Sequence, residues 1–117
     1  MSGRIVIKIG SQVLCDPAGA LTLAVRDQLV GPIGQLAADG WQVLLVSSGA
    51  VAAGHGVTAG KLDRISSPVA RKQVLAATGQ VRLMENYRVL FAQHGRTIAQ
   101  VLASKSDFQT RRHYLNM

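Results

Sequence analysis

With 117 residues, 48% of them apolar, the chain is long enough for one domain with a real core or for part of a larger one. The 13 Lys and Arg residues outnumber the 6 acidic ones and give a net charge of +7, but they are scattered, which argues against a dedicated nucleic-acid surface. A single cysteine excludes an intrachain disulfide and fits a reducing cytoplasm, and no apolar stretch approaches the roughly 20 residues of a membrane span.

The first predicted element is a buried strand at Arg4–Ile9 that stops at Gly10-Ser11. Lys8 interrupts its apolar run, and a lysine there is costly unless it emerges at the strand's end or pairs with an anion. Gly10 allows close backbone approach to a phosphate, and Ser11 can donate a hydroxyl to it. The residues alone leave the plainer alternatives open: a lysine that snorkels from an edge strand, followed by two turn residues.

A loop and then a helix are predicted next. Thr22 can cap a helix over residues 22–39 that ends at Gly40, with its apolar positions on one face. Gly31-Pro32 lies in the middle of this helix. Since proline removes a backbone donor and clashes with the preceding turn, we expect a kink or a break there.

The second strand junction has the clearest anion-binding character. Residues 41–47 read as a buried strand, and Ser48-Gly49-Ala50 then opens a helix of small residues that gives way to an irregular segment at Gly54. Small side chains let such a helix approach the sheet or a ligand closely. Free backbone N–H groups at its start favour a carboxylate or a phosphate. The alternative is that Ser47 or Ser48 simply caps the helix.

The remaining elements complete an alternating order of strands and helices. Ser67-Pro68 starts a long helix that runs to Gln93 before Gly95, residues 97–102 read as a third buried strand, and Ser106 or Asp107 caps a last helix. This alternation predicts a parallel sheet. Roles for Lys72, Gln73 and Gln80 stay open between structure and binding. The three histidines share no metal-ligand spacing and read as surface residues.

Five segments of the chain resemble the amino-terminal half of the glutamate kinase branch of the amino acid kinase family. They fall in the order and spacing of that family, at residues 6–14, 46–54, 71–80, 100–102 and 111–116. The resemblance implies an α/β fold, a three-layer α/β/α sandwich with a mainly parallel central sheet. Residues 1–117 would form the amino-terminal, substrate-side part of a single domain, without its carboxyl-terminal nucleotide-binding part.

The same resemblance implies a reaction and its participants. The expected activity is ATP-dependent phosphorylation of the γ-carboxylate of L-glutamate, with Mg²⁺, to γ-glutamyl phosphate, the first step of proline biosynthesis. A homo-oligomer inhibited by L-proline is the expected assembly. The alternatives are a non-catalytic amino-acid-binding or oligomerisation module of this family, or another amino acid kinase acting on acetylglutamate or aspartate.

Site roles follow from the matching motifs. By resemblance, Lys8 is the catalytic residue and binds ATP together with Gly10 and Ser11. Ser48, Gly49 and Ala50 would bind the substrate, with Ser48 donating to glutamate. No residue of the chain is expected to be a metal ligand.

Overall fold

A computed structural model describes residues 3–10, 25–58, 61–103 and 106. Its elements are strand β1 (Arg4–Ile9), a π-helical segment (Val25–Val30), helix α1 (Gly31–Ala38), strand β2 (Gln42–Ser47), helix α2 (Ala50–Val57) and helix α3 (Pro68–Ala92). Ser11, the predicted cap Thr22 and the last predicted helix beyond Ser106 lie outside the described residues. The assignment of residues 1–117 to one part of a single domain stays a prediction.

Strands β1 and β2 form a parallel pair, which confirms the α/β class and the parallel sheet. Their register runs from Arg4 opposite Gln42 to Ile9 opposite Ser47. The Ser48 amide then donates to the Ile9 carbonyl at 3.1 Å, so the ladder extends one residue past β2. Both strands therefore end at the same edge of the sheet, where ligands bind in open α/β folds.

The two strands alternate between a covered and an open face, so the prediction of two buried strands holds for one face only among the described residues. Helices α1 and α3 pack on the face that carries Ile7, Ile9 and Leu45. On the opposite face, Val6 is 63% exposed and Leu44 54% exposed. The cause is that the described helices cover one face only. Apolar residues on both faces are typical of a parallel sheet with helices on each side.

The predicted third strand at residues 97–102 is also wrong in this structure. These residues are irregular, and the described sheet contains β1 and β2 alone. Ile98 packs against the core, whereas Leu102 is 78% exposed. A strand needs a neighbour that accepts its backbone hydrogen bonds, and β-branched composition does not supply one.

At Gly31-Pro32, where a kink or a break is predicted, the helix continues but changes its type. The backbone is π-helical over Val25–Val30 and becomes α-helical at Gly31, with Pro32 in the first turn. A proline clashes with the carbonyl four residues earlier in a regular α-helix, and a wider π turn before it relieves that clash. Helix α1 ends at Ala38, as expected from Gly40, whose φ is 95°.

Helices α2 and α3 cross in close contact, which explains why α2 extends to Val57 rather than ending at Gly54. A Cβ on Gly54 would lie 2.1 Å from the Leu75 carbonyl oxygen, and one on Gly79 would lie 1.7 Å from the Ala50 carbonyl oxygen. The small residues of α2 thus admit the close approach of helix α3. This packing outweighs the low helix propensity of glycine.

Helix α3 organises the core and begins as predicted. The Ser67 hydroxyl accepts from the Ala70 amide at 3.3 Å, with Pro68 in the first turn. The core joins one face of α3 to α1, α2 and β1 through Ile9, Val30, Ile33, Ala53, Leu83, Tyr87 and Phe91. Neither α3 nor any shorter helix in the described part of the chain has the length and apolar composition of a bilayer span.

Candidate functional site

A cleft lies where β2 ends and α2 begins, and the start of α3 forms its other wall. Its volume is about 610 Å³, and it is lined by Ser47, Ser48, Gly49, Ala50, Val51, Ala52, His55 and Lys72. The three residues that were predicted to bind the substrate, Ser48, Gly49 and Ala50, are all in this lining. Among the described residues, the lining also includes two basic side chains, His55 and Lys72, and no carboxylate. The cleft therefore suits an anion.

Gly49 makes the sharp turn from β2 into α2. Its φ is 107° and its ψ is 2°, a left-handed conformation that a side chain would strain. The Gly49 carbonyl accepts the first helical hydrogen bond, from the Ala53 amide at 2.9 Å. No side chain of the described residues caps the start of α2. The first amides of α2 thus remain available to a ligand, as the geometry of a helix start leaves them without a helical partner.

The two serines at this junction do different things, and the alternative that one of them caps the helix is wrong. Ser47 Oγ donates to the Ser48 carbonyl at 2.9 Å and lies 2.8 Å from the Tyr87 hydroxyl. Ser48 is exposed, and within the described residues its hydroxyl has no hydrogen-bond partner. The Ser48 amide is occupied by Ile9, so Ser48 can contact a ligand through its side chain and not through its N–H.

The structure adds two basic residues that sequence reasoning did not assign to the site. Lys72 and His55 both line the cleft and are exposed. The neighbouring Arg71 instead donates from Nε to the Ile65 carbonyl, outside the cleft. The choice between two adjacent basic residues depends on helix phase and on the crossing of α2 with α3, which composition does not reveal. The sequence signal that was available is the position of Lys72 in the early part of α3.

Lys8 and Gly10, the two predicted phosphate-side residues that the structure describes, lie at the end of the neighbouring strand, outside the cleft lining. Lys8 is exposed and lies on the open face of the sheet, opposite Val46 in the register. A Cβ on Gly10 would meet nothing within 4 Å, so the backbone is accessible there. Adjacent strands lie about 4.8 Å apart, so both places belong to the same edge of the sheet. The structure thus places Lys8 and Gly10 beside the cleft but outside its lining.

The described residues offer no evident metal centre. In residues 3–10, 25–58, 61–103 and 106, no group of three or more His, Cys, Asp or Glu side chains is placed to hold a metal ion. The cleft lining contains no carboxylate, the ligand type that Mg²⁺ prefers.

Several curated relatives of this chain share one name, glutamate 5-kinase. A glutamate 5-kinase of Chlorobaculum tepidum is 48% identical over 114 residues, which is 97% of this chain and 31% of the relative. The glutamate 5-kinase of Pelobacter propionicus is 44% identical, with 97% of this chain and 30% of the relative covered. That of Bacteroides thetaiotaomicron is 41% identical, with 97% and 31% covered. The chain thus spans about 30% of the length of these curated relatives.

The family match covers nearly the whole chain. The model of the amino acid kinase family matches residues 3–117, which include β1, β2 and every cleft residue. This match agrees with the parallel α/β sheet and with the resemblance carried by the strand junctions. The chain belongs to the amino acid kinase family.

Proposed function

We propose that the protein phosphorylates the γ-carboxylate of L-glutamate with ATP, and that this chain supplies its amino-acid-binding side. The observation that carries the proposal is the cleft in which an uncapped helix start, the Ser48 hydroxyl and Lys72 converge. The relatives named glutamate 5-kinase support the choice of substrate. The proposed products are γ-glutamyl phosphate and ADP.

The cleft matches the chemistry of a dicarboxylic amino acid. Glutamate carries two carboxylates, and the lining offers amide donors at the start of α2, one free hydroxyl and one ammonium group. Hydrogen bonds to an ionised carboxylate are roughly twice as strong as neutral ones. The absence of a carboxylate among the lining residues avoids repulsion.

The transfer step itself needs little from the protein beyond positioning and charge neutralisation. An oxygen of the γ-carboxylate attacks the γ-phosphorus of ATP, a new P–O bond forms, and the bond to ADP breaks with its electron pair leaving on ADP. The attacking oxygen is already ionised, so no general base is required. We assign Lys8 to the phosphate oxygens, with Gly10 and Ser11 beside them. Mg²⁺, when bound to ATP, supplies further charge neutralisation.

A substrate panel tests the reaction. The complete natural protein is incubated with ATP and L-glutamate, N-acetylglutamate or L-aspartate, and ADP is measured together with acyl phosphate trapped by hydroxylamine. We expect ADP and hydroxamate in equal amounts with L-glutamate. Turnover of N-acetylglutamate or aspartate in preference would select another amino acid kinase. Glutamate binding without any ADP would select a non-catalytic module.

Replacing Ser48 with alanine is expected to raise the glutamate KM about tenfold and to leave kcat within about twofold. The reason is that the exposed Ser48 hydroxyl is free to donate to a carboxylate. Steady-state kinetics of the complete natural protein measures both constants. Ser66→Ala removes an exposed hydroxyl outside the cleft lining and serves as the control. An unchanged glutamate KM in Ser48→Ala would remove Ser48 from the site.

Replacing Lys72 with glutamine is expected to raise the glutamate KM by roughly tenfold, because it removes a charge from the cleft lining. The difference between variant and wild type should shrink at 0.5 M salt, since exposed charges are screened. Arg71→Gln removes the same charge one residue earlier, from a side chain engaged with Ile65, and should leave the glutamate KM within about twofold. Equal effects of the two variants would show that only overall charge matters.

Other properties stay predictions of the family resemblance. These are feedback inhibition by L-proline and homo-oligomeric assembly, whereas a cytoplasmic location stays a prediction from the single cysteine. The first is checked by adding L-proline to the glutamate-dependent assay, and the second by light scattering of the complete natural protein.

A further inference from the structure

The Tyr87 hydroxyl connects the core of helix α3 to the edge of the cleft. Tyr87 is 2% exposed, and its ring lies 6.2 Å from that of Phe91 between centroids. Its hydroxyl lies 2.8 Å from Ser47 Oγ, at the last residue of β2. A phenylalanine ring would pack in the same place. The hydroxyl therefore has a role that the packing alone does not explain.

The direction of these hydrogen bonds follows from the number of protons. Ser47 has one hydroxyl proton and donates it to the Ser48 carbonyl at 2.9 Å. With Ser47 Oγ as the donor to the Ser48 carbonyl, the Tyr87 hydroxyl is the donor to Ser47 Oγ across the 2.8 Å contact, one of the two directions that the geometry of this contact allows. The result is a chain of two hydrogen bonds that runs from Tyr87 through Ser47 to the Ser48 carbonyl.

This chain acts on the backbone that opens toward the cleft. The Ser48 carbonyl and the Gly49 N–H belong to one planar peptide group and point in opposite directions. A hydrogen bond that holds the carbonyl therefore also fixes the direction of the Gly49 N–H. Gly49 has a φ of 107°. Glycine has more backbone freedom than any other residue, so a hydrogen bond that fixes the peptide before it limits the directions that the Gly49 N–H can take.

We propose that Tyr87 is a positioning residue for amino-acid binding, which acts through Ser47 to fix the peptide between Ser48 and Gly49. The inference rests on the proposed function, because it treats the Gly49 N–H as a donor to a substrate carboxylate. It adds a buried residue of α3, outside the cleft lining, to the determinants of glutamate affinity.

The test is a double-mutant cycle on glutamate affinity in the complete natural protein. Tyr87→Phe keeps the ring and removes the hydroxyl, and Ser47→Ala removes the middle of the chain. Each is expected to raise the glutamate Kd, measured by calorimetry, and the glutamate KM about tenfold, with the ATP KM within about twofold. The double variant should be no worse than the weaker-binding single variant, since both break one chain of bonds. Ser47→Thr keeps the hydroxyl and should retain normal affinity.

Thr78→Val is the matched control on the same helix. The Thr78 hydroxyl donates to the Val74 carbonyl at 2.8 Å, within α3, so its loss should leave the glutamate Kd within about twofold. A lower thermal midpoint with an unchanged glutamate Kd in Tyr87→Phe would overturn the inference and leave the proposed function standing. Additive effects in the double variant would overturn it too. If the wild-type protein neither binds nor phosphorylates glutamate, the proposed function fails and the inference fails with it. If Tyr87→Phe does not fold, the glutamate Kd of Ser47→Ala tests the inference instead, and an unchanged value would overturn it.

Discussion

Replacing Lys8 with alanine is expected to lower kcat of the complete natural protein by at least about 10²-fold, the size typical of removing one preorganised charge-stabilising group. Lys8 is exposed near the end of β1, in the strand next to the one that leads into the cleft. Its ammonium group is a compact charge that can reach the phosphate oxygens where negative charge develops. The effect should appear in kcat more than in the glutamate KM, because Lys8 lies outside the lining of the cleft that we propose for glutamate. Steady-state kinetics with both substrates varied separates the two constants.

Arg4 provides a matched control on the same strand. It lies on the same face of β1 as Lys8, four residues earlier, and donates from Nε to the Gln42 side chain at 2.7 Å. Four residues of strand span roughly 13 Å, which places Arg4 at the opposite end of the sheet. Arg4→Ala should therefore leave kcat within about twofold, because its charge is remote from the transfer. Near-normal turnover in Lys8→Ala would remove Lys8 from the catalytic assignment.

Replacing Gly79 with alanine is expected to lower the free energy of unfolding by about 3 kcal/mol, the upper part of the usual range for overpacking. The added Cβ would lie 1.7 Å from the Ala50 carbonyl oxygen and 2.4 Å from the Gly54 nitrogen, so helices α2 and α3 must separate. Alanine normally favours a helix over glycine by about 1 kcal/mol, but that gain is smaller than the clash. Because Ala50 starts α2, the glutamate KM should rise as well.

The measurement for Gly79→Ala is thermal and urea unfolding of the complete natural protein, followed by glutamate titration. Val81→Ala, on the same helix at a 73% exposed position, should change stability by less than about 0.5 kcal/mol. A Gly79→Ala variant that is as stable as the wild type, or more stable, would contradict the close crossing of α2 and α3.

Local chemistry explains which parts of the fold were predictable from the sequence. The run Arg4–Ile9 and the start of α3 at Ser67-Pro68 follow from apolar pattern and capping, and both were confirmed. The change of helix type at Gly31-Pro32 follows from the missing donor of proline. The predicted strand at residues 97–102 did not form because a strand needs a partner strand. The burial of β1 and β2 was overestimated because burial depends on which elements cover each face of the sheet.

In the candidate site, too, the features set by local sequence were predictable and those set by tertiary contacts were not. Ser48, Gly49 and Ala50 could be placed together from the strand-to-helix junction alone, and the structure brings them to one cleft. Lys72 and the link from Tyr87 to Ser47 depend on how α3 lies against that junction, 25 to 40 residues away in sequence. Such contacts are tertiary, and no local sequence pattern predicts them.

A crystal structure of the complete natural protein with L-glutamate and a non-hydrolysable ATP analogue would show which ligand occupies the cleft between β2 and α2. We predict that a glutamate carboxylate contacts the Ser48 hydroxyl and the amides of Gly49 and Ala50, with the γ-phosphate within about 4 Å of Lys8 Nζ, close enough for strong charge interaction. Phosphate groups of the nucleotide in the Ser48–Ala50 cleft, or glutamate bound elsewhere, would contradict the assignment of this cleft to the amino acid.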